Sequence, residues 1–288
     1  MLVEKFKVDK TGNLVGLIAS KFSNLSQNKI RAALRNKDIK VDGVRVKENV
    51  VVEVGQEITF YLQDDKSKIL VDVVYEDENI LVANKPQGIE TVSTEGNDFL
   101  SLLSAQKNVE LFAVHRLDRN TMGLVVFAKN TQAKQLLDDA FKNRTIHKNY
   151  LALVYGCGLK PEAQMVAYLK KDADKSLVYV QDKSGNGFDK IQTNYKVIRE
   201  YENATLVDVE LITGKTHQIR AHFAHIGHFV VGDEKYGDSK INKLFHKKKQ
   251  CLCSYKLKFE FESGVLSYLN GKTIELELSK IDFVKNCN

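Results

Sequence analysis

FAVHRLDRNTMGLVVFAKNTQAKQLLDDAFKN, residues 112–143, decides how this chain folds. Leu124, Val125, Val126 and Phe127 form an apolar run without alternation. That pattern fits a strand buried on both faces. The polar stretch HRLDRNTMG ahead of it reads as a loop, and residues 131–143 behind it read as a helix. Upstream, VDVVYEDENILVANKP gives two strands, 71–76 and 79–84, joined by an acidic turn. A short helix is expected near 98–106. Downstream, the turn Thr213-Gly214-Lys215-Thr216 leads into a helix from Gln218 to His225, with Thr216 as its N-cap and Gly227 as its stop. Phe229 to Val231 would start a further strand. Many strands with few helices between them argue for an α+β domain with a largely antiparallel sheet.

The chain has 288 residues, which suggests about two domains. The polar stretch QDDKSK, residues 63–68, reads as a linker. The expected division is therefore a small α/β module over 1–65 and a larger domain over 66–288. Hydrophobic residues make up 43% and charged residues 28%, as in soluble globular proteins. No apolar run approaches the ~20 residues of a membrane span. The start, MLVEKFKVDKTG, lacks the apolar core of a signal peptide. A cytoplasmic protein with no membrane partner is expected. Cys157, Cys251, Cys253 and Cys287 form no CxxC pair, so reduced thiols are expected and a zinc site is not.

The formal net charge of +6 is concentrated. Residues 21–47 hold Lys21, Lys29, Arg31, Arg35, Lys37, Lys40, Arg45 and Lys47 against only Asp38 and Asp42. A local basic patch on a balanced remainder suggests a polyanion partner, although a solvated lysine face is the plainer reading. The segment has its own pattern. NLVGLIASKF places Leu14, Leu17 and Ile18 on one side of a helix, and Ser26 precedes a second helix with Ile30, Ala33 and Leu34 as its buried stripe. Ile39 and Val41, then Asp42-Gly43, then Val44 and Val46 read as a hairpin with a DG turn. Two short helices feeding a basic hairpin resemble the αL RNA-binding module named after ribosomal protein S-four. The resemblance, over about residues 11–62, implies RNA contacts from Lys29, Arg31, Arg35, Lys37, Lys40, Arg45 and Lys47.

Only eight of the 43 basic residues are arginine, yet Arg116 and Arg119 flank Asp118. A guanidinium offers a planar fork and a stacking face that an ammonium lacks. Flanking cations favour the charged form of a carboxylate. Composition alone leaves a structural salt bridge open beside a reactive carboxylate. His217, His222, His225 and His228 invite a metal reading, but on a helix they form a broad wedge and not the i, i+4 pair of a zinc protease.

Taken together, HRLDRNTMG at 115–123 resembles the HRLDxxTSG signature of the RluA family of pseudouridine synthases. Other signatures of that family follow in order. Lys85-Pro86-Gln87-Gly88 looks like its first motif, and Lys148 to Val154 like its KxYxALV strand. Gly214 to Arg220 looks like its GRTHQIR helix start, and Gly232-Asp233 with Tyr236-Gly237 like its GDxxYG. The resemblance covers about residues 70–259. Met122, Lys215, Phe229 and Cys253-Ser254 depart from the family's usual residues.

The resemblance implies a mixed, bent sheet flanked by helices, with a cleft across it. It implies isomerisation of uridine in RNA, with ribosomal RNA of the large subunit as target and transfer RNA as the alternative. Breaking an N-glycosidic bond calls for a carboxylate at the sugar–base junction. Asp118 would fill that place, paired with Arg220, with Tyr150 against the uracil face and Leu252 beneath it. Arg116 would stack in the place of the flipped base, or else hold a phosphate. Thr121, His217 and Lys85 would also touch substrate, Lys85 and the run His246-Lys247-Lys248-Lys249 through phosphates. No redox or phosphoryl step occurs, so neither cofactor nor metal is expected, and the chain is expected to act as a monomer. A non-catalytic RNA clamp and a metal-dependent hydrolase built on the histidines remain the competing classes.

Overall fold

The computed structural model describes residues 2–22, 25, 27–62, 71–94, 96–172 and 174–285. Ser26, the linker 63–68 and Cys287 lie outside the described residues. The chain divides into two compact units, Met1–Leu70 and Val71–Asn288.

In the first unit, helices Leu14–Lys21 and Gln27–Arg35 contribute Leu14, Ile18, Ile30 and Leu34 to a core with Ile39, Ile58 and Phe60. The sheet runs Leu2–Lys7, Glu57–Leu62, Ile39–Val41, Val44–Val46 in spatial order. Asp42 and Gly43 both have positive φ, 48° and 80°, the requirement of a two-residue type I′ hairpin turn. Arg31, Arg35, Lys37, Arg45 and Lys47 are exposed. Lys40 is half-buried, its ammonium 5.3 Å from the centre of the Tyr61 ring. The side chain of Lys29 is outside the described set.

The second unit is α+β, built on one large mixed sheet. Its main path runs Leu177–Gln181, Glu162–Asp172, Asp189–Glu200, Ala204–Leu211, Ile146–Tyr155, Leu252–Phe259, Met122–Ala128, Ile80–Lys85, Asp72–Glu76. Neighbours along this path are antiparallel except Met122–Ala128 against Leu252–Phe259, which pair in parallel through Met122↔Cys253 and Gly123↔Ser254. Gly123 is required at that junction. Its φ is +115°, and a Cβ would lie 2.2 Å from the Ser254 carbonyl oxygen.

The apolar run of Met122–Ala128 is buried on both faces, as its lack of alternation implies. Leu124 and Val126 join Leu137, Leu257 and Phe259 in one core. Val125 and Phe127 join Phe99, Val154, Phe223 and Leu252 in the other. Helix Thr131–Asn143 covers the first face, capped by Asn130, whose side-chain oxygen accepts the Ala133 N–H at 2.8 Å. Helices Phe99–Lys107 and Gln218–His225 contribute Phe99 and Phe223 to the second core.

Two local expectations need correction. The helix Gln218–His225 is not capped by Thr216; the N-cap position is His217, in the left-handed region at φ 54°, with no side-chain cap. Residues 229–231 form no full strand, only a bridge between Val230 and Val154. The chain turns away at Gly232, whose N–H goes to the Asn242 side chain at 2.7 Å. Among the described residues no helix is long and apolar enough to cross a membrane. Cys251 and Cys253 are buried and Cys157 is exposed.

Candidate active site

The HRLDRNTMG loop is pinned at several points. His115 Nε2 accepts the Val126 N–H at 3.0 Å, and its ring stacks on Phe141 with centroids 4.5 Å apart. The Thr91 hydroxyl accepts the Leu117 N–H and donates to the Leu117 carbonyl. The Arg119 carbonyl accepts the Gly88 N–H, and Arg119 Nε donates to the Gly88 carbonyl. Between these clasps, the Asp118 carbonyl closes a turn with the Thr121 N–H at 3.0 Å, and the carboxylate projects into a cleft.

Arg220 meets it there. Nη1 donates to Asp118 Oδ2 at 2.8 Å. The rest of the guanidinium is held from behind by Asp233, through Nε to Oδ2 at 2.6 Å and Nη2 to Oδ1 at 2.9 Å. This bidentate fork fixes its plane. Burial works against the charged guanidinium, but the bonds and charges of Asp233 and Asp118 more than offset it and raise its pKa. Arg116 and Arg119 flank Asp118 in sequence without pairing with it. Arg116 is exposed on the cleft rim, and Arg119 is spent on Gly88. Among the described residues no hydrogen bond reaches Asp118 Oδ1, and Asp118 lines the cleft.

The cleft measures about 910 Å³, within the range of small-ligand sites. Tyr150, Leu252, Thr121, His217 and Arg116 all line it. Tyr150 sits where strand Ile146–Tyr155 shifts register against Leu252–Phe259, between Asn149 and Tyr150. Such an irregularity re-aims a side chain. Burial raises the Tyr150 pKa and keeps the phenol protonated. Leu252 is buried in the core beneath. Thr121 accepts a hydrogen bond from Gln250 and is itself buried.

Lys85 departs from expectation. It is fully buried, and Nζ donates to the carbonyls of Pro86, Ile89 and Arg119. With its donors used internally it offers nothing to a phosphate. It ties the first motif to the Asp118 loop instead. Burial pulls its pKa down to about 7, against the opposing pull of Asp118.

The histidines go separate ways. His217 Nδ1 bonds the Tyr236 hydroxyl, His222 Nδ1 the Thr193 hydroxyl, His225 the Asp182 carboxylate and His228 the Tyr155 carbonyl. Among the described residues no group of three or more His, Cys, Asp or Glu is placed to hold a metal.

A carboxylate with one oxygen clamped and the other free, beside a buried phenol and an apolar floor, can attack or deprotonate a nucleoside lying in the cleft. The sequence family agrees. A model of the RNA pseudouridylate synthase family matches residues 79–225, about half the chain. This chain belongs to that family. An uncharacterized RNA pseudouridine synthase of Mycoplasma genitalium is 34% identical over 81% of this chain and 80% of its own. The ribosomal large subunit pseudouridine synthase C of Rickettsia bellii is 32% identical over 75% of this chain and 80% of its own. Among solved structures, human RNA pseudouridylate synthase domain containing 1 shares the fold, with a TM-score of 0.61 and 19% identity over 78% of this chain and 98% of that one. The protein is thus an RNA pseudouridine synthase of the RluA type, an enzyme that isomerises uridine in RNA.

Asp233 is the residue of the synthase that sequence reading passed over as a site residue. Its signal was present, since Asp233 follows the apolar Val230-Val231 and a glycine at the head of the Gly232-Asp233 and Tyr236-Gly237 motif. Tyr236, three residues later in the same motif, was equally visible and equally unassigned.

The pinned loop has a pH consequence. Burial lowers the His115 pKa to about 3. The unfolded chain therefore takes up a proton below its ordinary value of ~6.5 that the folded chain refuses. This contribution to stability is complete above pH ~6.5 and is lost as the pH falls toward 3, roughly 2 kcal/mol by pH 5. The expected result is a shallower fall in melting temperature between pH 7.5 and 5 for His115→Gln than for wild type. Equal slopes would remove His115 from the account.

Proposed function

We propose that Asp118, Arg220 and Tyr150 carry the isomerisation, and that the substrate is ribosomal RNA of the large subunit. The observation behind the first part is that Asp118 lines the cleft with Oδ1 unbonded while Arg220 clamps Oδ2. In the reaction the N1–C1′ bond breaks and a C5–C1′ bond forms. C5 gives up a proton and N1 gains one, so the product is an isomer. Oδ1 starts this either by attack at the sugar or by drawing off a ribose proton. Both routes need the same held carboxylate. Tyr150, kept as a phenol by burial, lies against the base and can pass a proton late in the sequence.

The target base must leave its stack, which costs a few kcal/mol. Arg116, exposed on the rim, takes the vacated place. Thr121 and His217 border the base from the loop and the helix start. In the run 246–249, His246, Lys247 and Lys248 line a second hollow with Lys243, and the lysines of the run add phosphate contacts. Relatives named for the large ribosomal subunit support the choice of RNA. The three reacting groups come from one chain, which supports a monomer, and we place it in the cytoplasm with the ribosome. Mapping pseudouridines in ribosomal and transfer RNA from cells lacking the protein tests the target. Loss from large-subunit RNA is expected; loss from transfer RNA alone would overturn it.

The first unit, with residues 1–65 as its functional part, serves in this reading as an RNA-binding module. Its exposed Arg31, Arg35, Arg45 and Lys47 support that. Replacing these four with Gln in the full chain should weaken RNA binding. It should also flatten the slope of log affinity against log salt by about 0.7 per lost phosphate contact. Unchanged affinity and slope would remove the module from RNA binding.

A further inference from the structure

The Tyr236 hydroxyl sits between two partners. It accepts the Val178 N–H at 2.9 Å, and it lies 2.8 Å from His217 Nδ1. A backbone amide can only donate. Donation of the phenolic proton to the ring gives that proton its partner, with Nδ1 accepting it. A neutral imidazole that accepts at Nδ1 carries its hydrogen on Nε2. His217 Nε2 points at Asp118 and lies 3.8 Å from Oδ2, the oxygen that Arg220 also holds. The ring is aimed by its backbone, since His217 adopts φ +54° just before helix Gln218–His225. The Arg220 guanidinium lies over the Tyr236 ring, 5.2 Å from its centre, so the pair is packed onto the clamp.

We infer that Tyr236 fixes His217 as its Nε2–H tautomer, and that His217 is thereby a positioning residue that holds Asp118 Oδ2 together with Arg220. The inference rests on Asp118 being the reacting carboxylate. At 3.8 Å the contact is longer than a hydrogen bond, as such contacts commonly are before substrate binds. With Oδ2 held by both, the carboxylate cannot rotate, and Oδ1 stays the oxygen presented to the sugar.

A pH signature follows. Asp118 and Asp233 face His217 as acids, Arg220 and Lys235 as cations, and Tyr236 as the hydroxyl donor. Burial is the main cause that holds the His217 pKa below its ordinary value. A protonated ring cannot accept from Tyr236, and as an imidazolium it would neutralise the carboxylate it should only steady. Turnover therefore falls on the acid side as His217 charges. Removing the Tyr236 hydroxyl takes away a bond that favours the neutral ring, so the acid limb should move to higher pH.

The test uses the full chain with a uridine-containing RNA, reading kcat, KM and melting temperature from pH 5 to 8. Tyr236→Phe is expected to lower kcat roughly 10-fold, the scale of one hydrogen bond to a charged group, with KM within about 2-fold. Its acid limb should shift upward. His217→Gln supplies an N–H that needs no tautomer and keeps the Val178–Tyr236 bond, so it should retain part of kcat and lose this limb. Adding Tyr236→Phe to His217→Gln should then cost little more. An acid limb that persists unshifted in His217→Gln overturns the inference, even if Tyr236→Phe folds poorly. So does a Tyr236→Phe loss confined to KM. Asp118→Asn runs alongside. If it still turns over, the reading of the site has failed; if it is inactive while His217→Gln keeps the wild-type limb, only this inference has.

Discussion

Asp233→Asn is expected to cost the synthase more stability than any single change at the cleft surface. The Asp233 side chain has no exposure, and four donors converge on it: Arg220 Nε and Nη2, and the N–H groups of Lys235 and Tyr236. An amide has one oxygen to offer them and would turn an NH₂ toward a guanidinium. Arg220 would then keep a buried positive charge with only Asp118 as partner. Breaking a buried pair from one side costs about 3–5 kcal/mol. For a domain of this size that lowers the melting temperature by on the order of 10 °C. Conversion should also fall at temperatures where the variant is folded, because the clamp on Asp118 loses its anchor. Calorimetry and a low-temperature activity assay on one sample check both parts. Melting within a degree of wild type would mean that Asp233 does not hold Arg220.

Much of this arrangement was legible in the sequence, and what was not has physical causes. The helices over 131–143 and 218–225 and the DG hairpin were readable because apolar spacing, the Gly227 stop and turn residues act locally, although the expected Thr216 cap did not form. The apolar run at 124–127 was readable as a doubly buried strand because burial on both faces erases alternation. The trio Asp118, Tyr150 and Arg220 was visible as ordered motifs, and the fold brings all three to one cleft. Sequence neighbours misled where charge was concerned. Arg116 and Arg119 stood closest to Asp118 along the chain, but its partner is Arg220, 102 residues away, which only the motif resemblance had paired with it. Lys85 looked like a phosphate ligand because a lysine is normally solvated. Only three-dimensional packing shows its ammonium closed over by three carbonyls. The register shift at Tyr150 depends on how two strands meet, and neither strand records it alone.

The largest effect on turnover is expected from Asp118→Asn. The substitution keeps size and shape and removes the charge, so the residue can act neither as nucleophile nor as base. Its stability cost should be small. Asp118 is a quarter exposed, and Arg220 keeps both bonds to Asp233 when Asp118 is neutral. Affinity for RNA should change little, because phosphate contacts dominate it, and loss of a negative charge from the cleft favours tighter binding. A purely structural aspartate would behave in the opposite way, with lower melting and partial activity. The deciding measurement is chromatographic separation of uridine from pseudouridine after digestion of RNA incubated with wild type or Asp118→Asn, with melting recorded on the same preparations. A variant that melts like wild type and leaves every uridine unconverted is the predicted result; one that still turns over at more than a few per cent of wild type contradicts it.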